Sequence, residues 1–239
     1  MNKIFFTFIA ALIVITMSQC KRTSDYYYAD FLNKAENAKP GSVDSLQILP
    51  GHNRAILRFI VGPDRRVNRI KVSYNSSLSA EISTAFFDVV ASDYGNYKEV
   101  QIDNLPEATL IANVLSFDNK GDSSNIATTT GLVYGNRYIT SLYNRIYLRT
   151  STVGTDKYLD FQNESRKPQD STVFYTMLKT ILTYPRIDGT TATIEFTPYS
   201  NSIPVPDIAT TGTITHYSVF KPVEEAIDVF QSAPVSINF

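Results

Sequence analysis

The residues of this chain that are able to do chemistry are few and widely spaced. There are two histidines, His52 and His216, and a single cysteine, Cys20. Neither histidine has a partner at metal-binding spacing, since the chain has no His-Glu-x-x-His and no cysteine pair. His52 follows Pro50-Gly51, which puts it on a turn. His216 lies in the alternating run Ile214-Thr215-His216-Tyr217-Ser218, which puts it on a face of a strand. No Gly-x-Ser-x-Gly elbow offers an activated serine. The acids Asp64, Asp93, Asp118, Asp122 and Asp188 fall where turns are expected, and turn acids commonly accept local backbone hydrogen bonds. Glu224-Glu225 reads as the start of a helical turn. A glycosidase needs two carboxyl groups about 5–10 Å apart across a cleft. Sequence spacing does not reveal such a pair, so a hydrolase stands as a third reading behind two non-catalytic ones. Asp118-Asn119-Lys120-Gly121-Asp122 has the oxygen donors that calcium favours. It lacks the closing glutamate of a calcium loop, and Lys120 opposes a cation, so a hairpin is the simpler reading. No metal and no cofactor is expected.

The sequence speaks more clearly for binding. Aromatic residues make up 12% of the chain, 15 of them tyrosines. A phenol ring offers a sugar an apolar face and a hydroxyl. Asp93-Tyr94-Gly95-Asn96-Tyr97 gathers two rings, an acid and an amide in a turn, so Tyr94, Asn96 and Tyr97 are the candidate ligand-binding residues, with ordinary loop packing as the competing reading. Tyr134, Tyr138, Tyr143 and Tyr147 recur at steps of four or five residues. The reading preferred for them is a packing seam between domains.

The elements that must position these residues are strands. Residues 1–19 are set apart: Lys3, then an apolar run from Ile4 to Thr16. That run is too short for a spanning helix, which needs about 20 residues, and suits a signal-peptide core. From Lys21 to about Gly41 the chain reads as a polar tether, interrupted by Tyr26-Tyr27-Tyr28 and Phe31-Leu32, which are expected to pack on the adjacent domain. From Val43 onward two-residue alternation takes over. It appears in Ala55, Leu57, Phe59 and Val61, in Ile70, Val72 and Tyr74, in Val100 and Ile102, and in Leu110, Ala112 and Val114. Turns intervene at Pro50-Gly51, Gly62-Pro63-Asp64, Asn75-Ser76-Ser77 and Asp118–Asp122, and the run from Ile126 to Val133 closes the unit. Short strands at this spacing predict a β-sandwich over residues 42–134.

The second half, residues 135–239, is less regular. Strand-like runs occur at Lys157–Phe161, Val173–Leu182, Ala192–Phe196, Thr213–Phe220 and Val235–Phe239, with short helical turns predicted at Leu142–Tyr147 and Val223–Ile227. The fold class predicted is all-β, with two immunoglobulin- or fibronectin III-like β-sandwich domains after the leader and tether. No internal repeat is strong enough to establish a duplication. The charge balance, 22 basic against 23 acidic residues, argues against nucleic acid, which demands clustered Lys and Arg.

Three resemblances add to this reading. Residues 1–20, ending in Met17-Ser18-Gln19-Cys20, resemble a bacterial lipoprotein signal peptide, although Gln19 stands where a small residue is usual. The resemblance implies lipidation of Cys20 and a membrane anchor, and it would remove a free thiol from an oxidising compartment. The stretch from Ile102-Asp103-Asn104-Leu105-Pro106-Glu107 to Asp118-Asn119-Lys120-Gly121-Asp122-Ser123-Ser124 resembles a fibronectin type III domain. Phe59 stands there for the usual strand-B Trp, and Leu110 for the usual Tyr. Leu49–Arg54, Val133–Arg145 and Pro222–Phe230 are similar to stretches in lipoproteins of gut and environmental Bacteroidetes. That likeness implies an accessory role beside an outer-membrane transporter and its glycan-capturing partner, and it supplies no catalytic residue. The expectation is therefore a non-catalytic lipoprotein of the outer membrane that binds polysaccharide or joins a transporter complex. A protein-adhesion or structural role is the alternative. Lys21-Arg22-Thr23-Ser24-Asp25 leaves open which leaflet face displays it.

Overall fold

A computed structural model of the chain describes residues 39–164 and 176–239. The signal peptide, Cys20, the tether as far as residue 38 and the first residues of the Val173 run lie outside the described residues.

The first sandwich is built from β1 (Asp44–Pro50), β2 (Ala55–Ile60), β3 (Val67–Ser76), β4 (Ser83–Asp88), β5 (Tyr97–Ile102), β6 (Thr109–Asp118) and β7 (Ala127–Leu132). These form two antiparallel sheets, ordered β1-β2-β5 and β4-β3-β6-β7. Alternation dictates the packing: Ala55, Leu57 and Phe59 of β2 meet Ile70 and Val72 of β3 and Leu110, Ala112 and Val114 of β6 in one core. Phe59 and Leu110, the two departures from the fibronectin pattern, are both buried there. The β6–β7 connection turns as expected, with Gly121 at φ +88° and Asp118 Oδ1 accepting from the Lys120 and Asp122 amides. Strand β4 was not among the runs that alternation picks out. It is an edge strand with both faces largely exposed, so burial imposes little pattern on it.

A short helix, α1 (Asn136–Ser141), follows β7 and leads to the second sandwich. The expected helical turn at Leu142–Tyr147 is thus displaced. Residues 142–146 have no regular structure, and Tyr147 already begins a strand. Leu142 is extended at the helix C-terminus and ends it. At Val223–Ile227 the structure has one turn, closed by the Ala226 amide on the Val223 carbonyl.

The second sandwich contains β8 (Tyr147–Val153), β9 (Asp156–Phe161), β10 (Thr176–Pro185), β11 (Thr191–Phe196), β12 (Ser202–Pro204), β13 (Thr213–Lys221), β14 (Phe230–Gln231) and β15 (Val235–Asn238). Its sheets are β12-β9-β8 and β11-β10-β13-β14, with β15 also paired to β13. Strand for strand this repeats the first sandwich, with the last strand split. Strand β14 pairs Val219 and Phe220, whereas β15 pairs Thr213 to His216. The break falls at Ser232-Ala233-Pro234, where a proline cannot donate to the ladder. Ser232 fills the gap, its Oγ accepting from the Ser218 amide at 2.9 Å.

Candidate functional site

The turn that sequence analysis selects is built to hold itself. The Asp93 carboxylate accepts from the Val90 amide and from Lys98 Nζ, both at 3.0 Å, and these bonds hold it below the usual carboxylate range. Asn96 donates its side-chain amide to the Ser92 carbonyl. Tyr94 is half-buried against the first core, its hydroxyl donates to the Val67 carbonyl, and the Arg65 guanidinium stacks 4.5 Å from its ring centroid. Tyr97 is different. It opens β5 with 59% of its surface exposed, and Arg58 lies 5.6 Å from its ring centroid. Of the three residues, Tyr97 offers the open ring and Tyr94 anchors the loop.

The tyrosines near the domain boundary separate into two groups. Tyr134 and Tyr138 are buried with Phe230 in a small cluster of their own, at ring-centroid distances of 4.8 to 5.9 Å. Tyr143 instead packs on Phe220, and Tyr147 on Phe161, inside the second sandwich. The first pair forms the seam between the sandwiches. Only Tyr138 of the four lies in the helix.

Around this cluster the seam is polar and specific. Arg54 grips Asp228 with both carboxylate oxygens engaged, at 2.5 and 2.9 Å, and Asp228 Oδ2 also accepts the His52 amide at 2.8 Å. The Arg54 guanidinium holds the Asp228 carboxyl below the usual carboxylate range. The Ile227 amide donates to the Pro50 carbonyl, and the His52 ring meets the edge of Phe230 at 5.7 Å. Gly51 is required by closeness: a Cβ there would lie 2.5 Å from Asp228 Oδ2 and 2.7 Å from Ile227 Cγ1. Glu107, in the loop before β6, reaches α1 and accepts the Arg137 and Tyr138 amides at 2.6 and 2.7 Å. It caps a helix that has no side-chain cap of its own. The stretches Leu49–Arg54, Val133–Arg145 and Pro222–Phe230, far apart in the chain, therefore meet at one place.

Beside the seam lies a groove of about 410 Å³, lined by Tyr143, Asn144, Arg145, Ile146, Gln162, Asn163 and Glu164. Its floor is Arg145, a buried cation. That guanidinium donates to the Gln162 carbonyl at 2.8 Å and the Ser200 carbonyl at 2.7 Å, and it sits 5.5 and 5.3 Å from the rings of Phe161 and Phe196. Burial lowers its basicity, and the Glu164 charge opposes that effect. His216 lies behind it, its Nε2 3.0 Å from the Arg145 carbonyl. A carbonyl only accepts, so Nε2 carries the proton. Nδ1 is buried and has no hydrogen-bond partner among the described residues, and burial pushes the imidazole below its ordinary pKa. Tyr143 donates its hydroxyl to Glu164 at 2.8 Å, and Asn144 ties the groove to Ser232 and Ala233. Gln162 and Asn163 are exposed on the rim.

Residue patterning did not select this groove. The signal available was Gln162-Asn163-Glu164, three polar acceptors directly after the alternating strand β9. Among the described residues no three His, Cys, Asp or Glu side chains cluster as a metal would require, and no helix is long and apolar enough to cross a membrane.

Comparison with known proteins gives a family without an activity. The DUF4998 family, described as a domain of unknown function, matches residues 20–230, and the chain belongs to it. No curated protein matches. Among solved structures the chain is similar to a two-fibronectin-type-III-domain segment of chicken tenascin, at 9% identity and TM-score 0.34, covering 83% of this chain and 99% of that one. The chicken interferon gamma receptor alpha chain gives 11% identity and TM-score 0.34, with 82% and 97% covered. The FN1–FN3 domains of chicken CNTN1 give 10% identity and TM-score 0.37, with 84% and 67% covered. These likenesses are too distant to bear on function.

Proposed function

We propose that this DUF4998 protein is a non-catalytic binding protein of the cell envelope, anchored at the outer membrane by lipid on Cys20, and that its ligand is a glycan captured alone or beside a transporter. One observation carries the ligand class. The groove beside the seam presents a phenol, two carboxamides and a carboxylate at its rim, the groups that exchange hydrogen bonds with sugar hydroxyls, over a buried and fixed Arg145. Its volume falls in the range of small-ligand sites.

The test is binding of the full chain to a broad panel of neutral and acidic polysaccharides. The expected result is binding to at least one neutral glycan, weakened at least tenfold by Gln162→Ala with Asn163→Ala. If the paired change Tyr94→Ala with Tyr97→Ala abolishes binding instead, the site moves to the 93–97 turn. Mass spectrometry of the N-terminal peptide checks the anchor, which fails if Cys20 carries no acyl chain.

A protein partner is the second reading, and one feature favours it. Among the described residues strand β8 pairs only with β9, and Leu148 and Val153 on it, with Ile146 just before it, are 58%, 68% and 59% exposed. An open edge with apolar side chains is what strand addition by a partner requires.

A further inference from the structure

Cross-strand pairing fixes which side chains share the outer face of the β4-β3-β6 sheet. Arg69 on β3 lies between Asp88 on β4 and Phe117 on β6, and Lys71 lies between Phe86 and Leu115. Neighbouring strands run about 4.8 Å apart, so these side chains form one compact block. The Arg69 guanidinium stacks 4.4 Å from the Phe86 ring centroid, and Lys71 Nζ lies 6.0 Å from it. Phe86 nonetheless remains 50% exposed.

The charges of this block are unspent. Among the described residues, Arg69, Lys71 and the nearby Lys120 have no ion pair, even though Asp88 stands across from Arg69. Asp118, the other acid here, has an oxygen committed to the Lys120 and Asp122 amides of the hairpin. At one end of the face Asn68, Arg69, Phe86, Phe117, Asn119 and Lys120 line most of a cavity of about 420 Å³. Asn68 donates its amide to the Asn119 carbonyl oxygen. That bond leaves the Asn68 oxygen and the Asn119 amide protons available to a ligand.

We infer that this cavity is a second binding site, selective for a carboxylate-bearing sugar. Arg69 and Lys120 take the carboxylate, since a stacked guanidinium keeps its planar N–H edge free for one. Phe86 and Phe117 cover an apolar face of the ring, and Asn68 and Asn119 meet its hydroxyls. An acidic peptide would pair with the free backbone edge of β4, whereas this cavity opens on the sheet face. The inference rests on the glycan reading above and adds a site of different selectivity on the other sandwich.

The experiment is titration of the full chain with polygalacturonate, a neutral glycan bound by the parent chain, and polyglutamate. Arg69→Gln with Lys120→Gln is the test variant. Both residues are exposed, so the unfolding midpoint should not move. The expected result is polygalacturonate binding that weakens at least tenfold in the variant and falls with added salt, as exposed ion pairing does, while neutral-glycan binding is unchanged. Polygalacturonate binding that survives the variant overturns the site. Polyglutamate binding equally well overturns the sugar selectivity. Neutral glycans bound without polygalacturonate sink this inference and leave the glycan reading standing, while no glycan bound at all sinks both.

Discussion

The two sandwiches share one strand order and differ in what they bury. The first is apolar from Val43 and Ala55 to Val114 and Val133, with only the serines Ser76, Ser116 and Ser124 buried beside it among the described residues. The second buries Arg145, Thr180, His216, Ser218 and Ser232 alongside Leu159, Phe161, Leu182 and Ile214. The two sandwiches end alike. In the first, Ser123 bridges Phe117 before β7 pairs with β6, and Ser124 Oγ accepts from the Ser116 amide at 3.0 Å. In the second, the equivalent strand breaks into β14 and β15, and the ladder groups left over need partners. Ser232 supplies one, and through Asn144 it connects to the chain entering from the seam. A serine completes the ladder in both sandwiches, so the second core is set apart by Arg145, Thr180 and His216. The same fold thus yields a largely apolar sandwich with an open face and a sandwich that buries a cation beside a groove.

The comparison breaks most sharply at Arg145. Arg145→Met should cost the second sandwich about 3 kcal/mol, because a charged donor to buried carbonyls is lost and those carbonyls are left without a partner. Arg145→Lys should recover little, since one ammonium cannot reach both Gln162 and Ser200 as the guanidinium fork does. Hydrogen exchange of the full chain checks it: protection should fall in β8–β15 and hold in β1–β7. Equal loss in both halves would mean that the sandwiches unfold as one unit.

The seam is the next largest test. Gly51→Ala forces a methyl group into Asp228 and Ile227, and overpacking of this kind costs about 2 kcal/mol. Asp228→Asn is gentler. It keeps the size but loses the two-point grip on Arg54, a smaller loss because the Arg54 side chain is 39% exposed and solvent screens the pair. Both should loosen the angle between the sandwiches, read by small-angle scattering, with neither core's exchange altered.

The legibility of the sequence divides along the same line. The β2, β3 and β6 alternation of the first sandwich was plain because each strand has one face in an apolar core and one outside. The second sandwich read as irregular because Thr180 and His216 occupy inward positions where alternation demands apolar residues, and because Pro234 breaks the last strand. The duplication was hidden for that reason: topology repeats while residue pattern does not. Of the four boundary tyrosines expected in a seam, Tyr143 and Tyr147 pack inside the second sandwich and Tyr134 and Tyr138 form the seam. Their partners Arg54 and Asp228 lie 174 residues apart, and no local pattern joins them. The 93–97 turn drew notice for its aromatic content, but a sequence does not reveal that Arg65 covers Tyr94 while Tyr97 stands open.

His216 gives the smallest effect and the finest distinction between the two cores. With Nε2 committed to the Arg145 carbonyl, a second proton must go to Nδ1, which is buried, without a partner among the described residues and near a fixed guanidinium. The folded-state pKa is therefore lowered, while the unfolded chain keeps a histidine value of about 6.5. Below that value the unfolded state binds the proton more readily than the native one, so stability falls as pH drops from about 6.5 towards the native pKa and levels off beneath it. His216→Gln should remove this slope from the second sandwich at some cost in packing. Denaturant midpoints between pH 5 and 8 decide the matter. A slope that persists in His216→Gln would assign acid sensitivity to another group, and the neutral histidine would then serve the core only as a flat polar wedge behind Arg145.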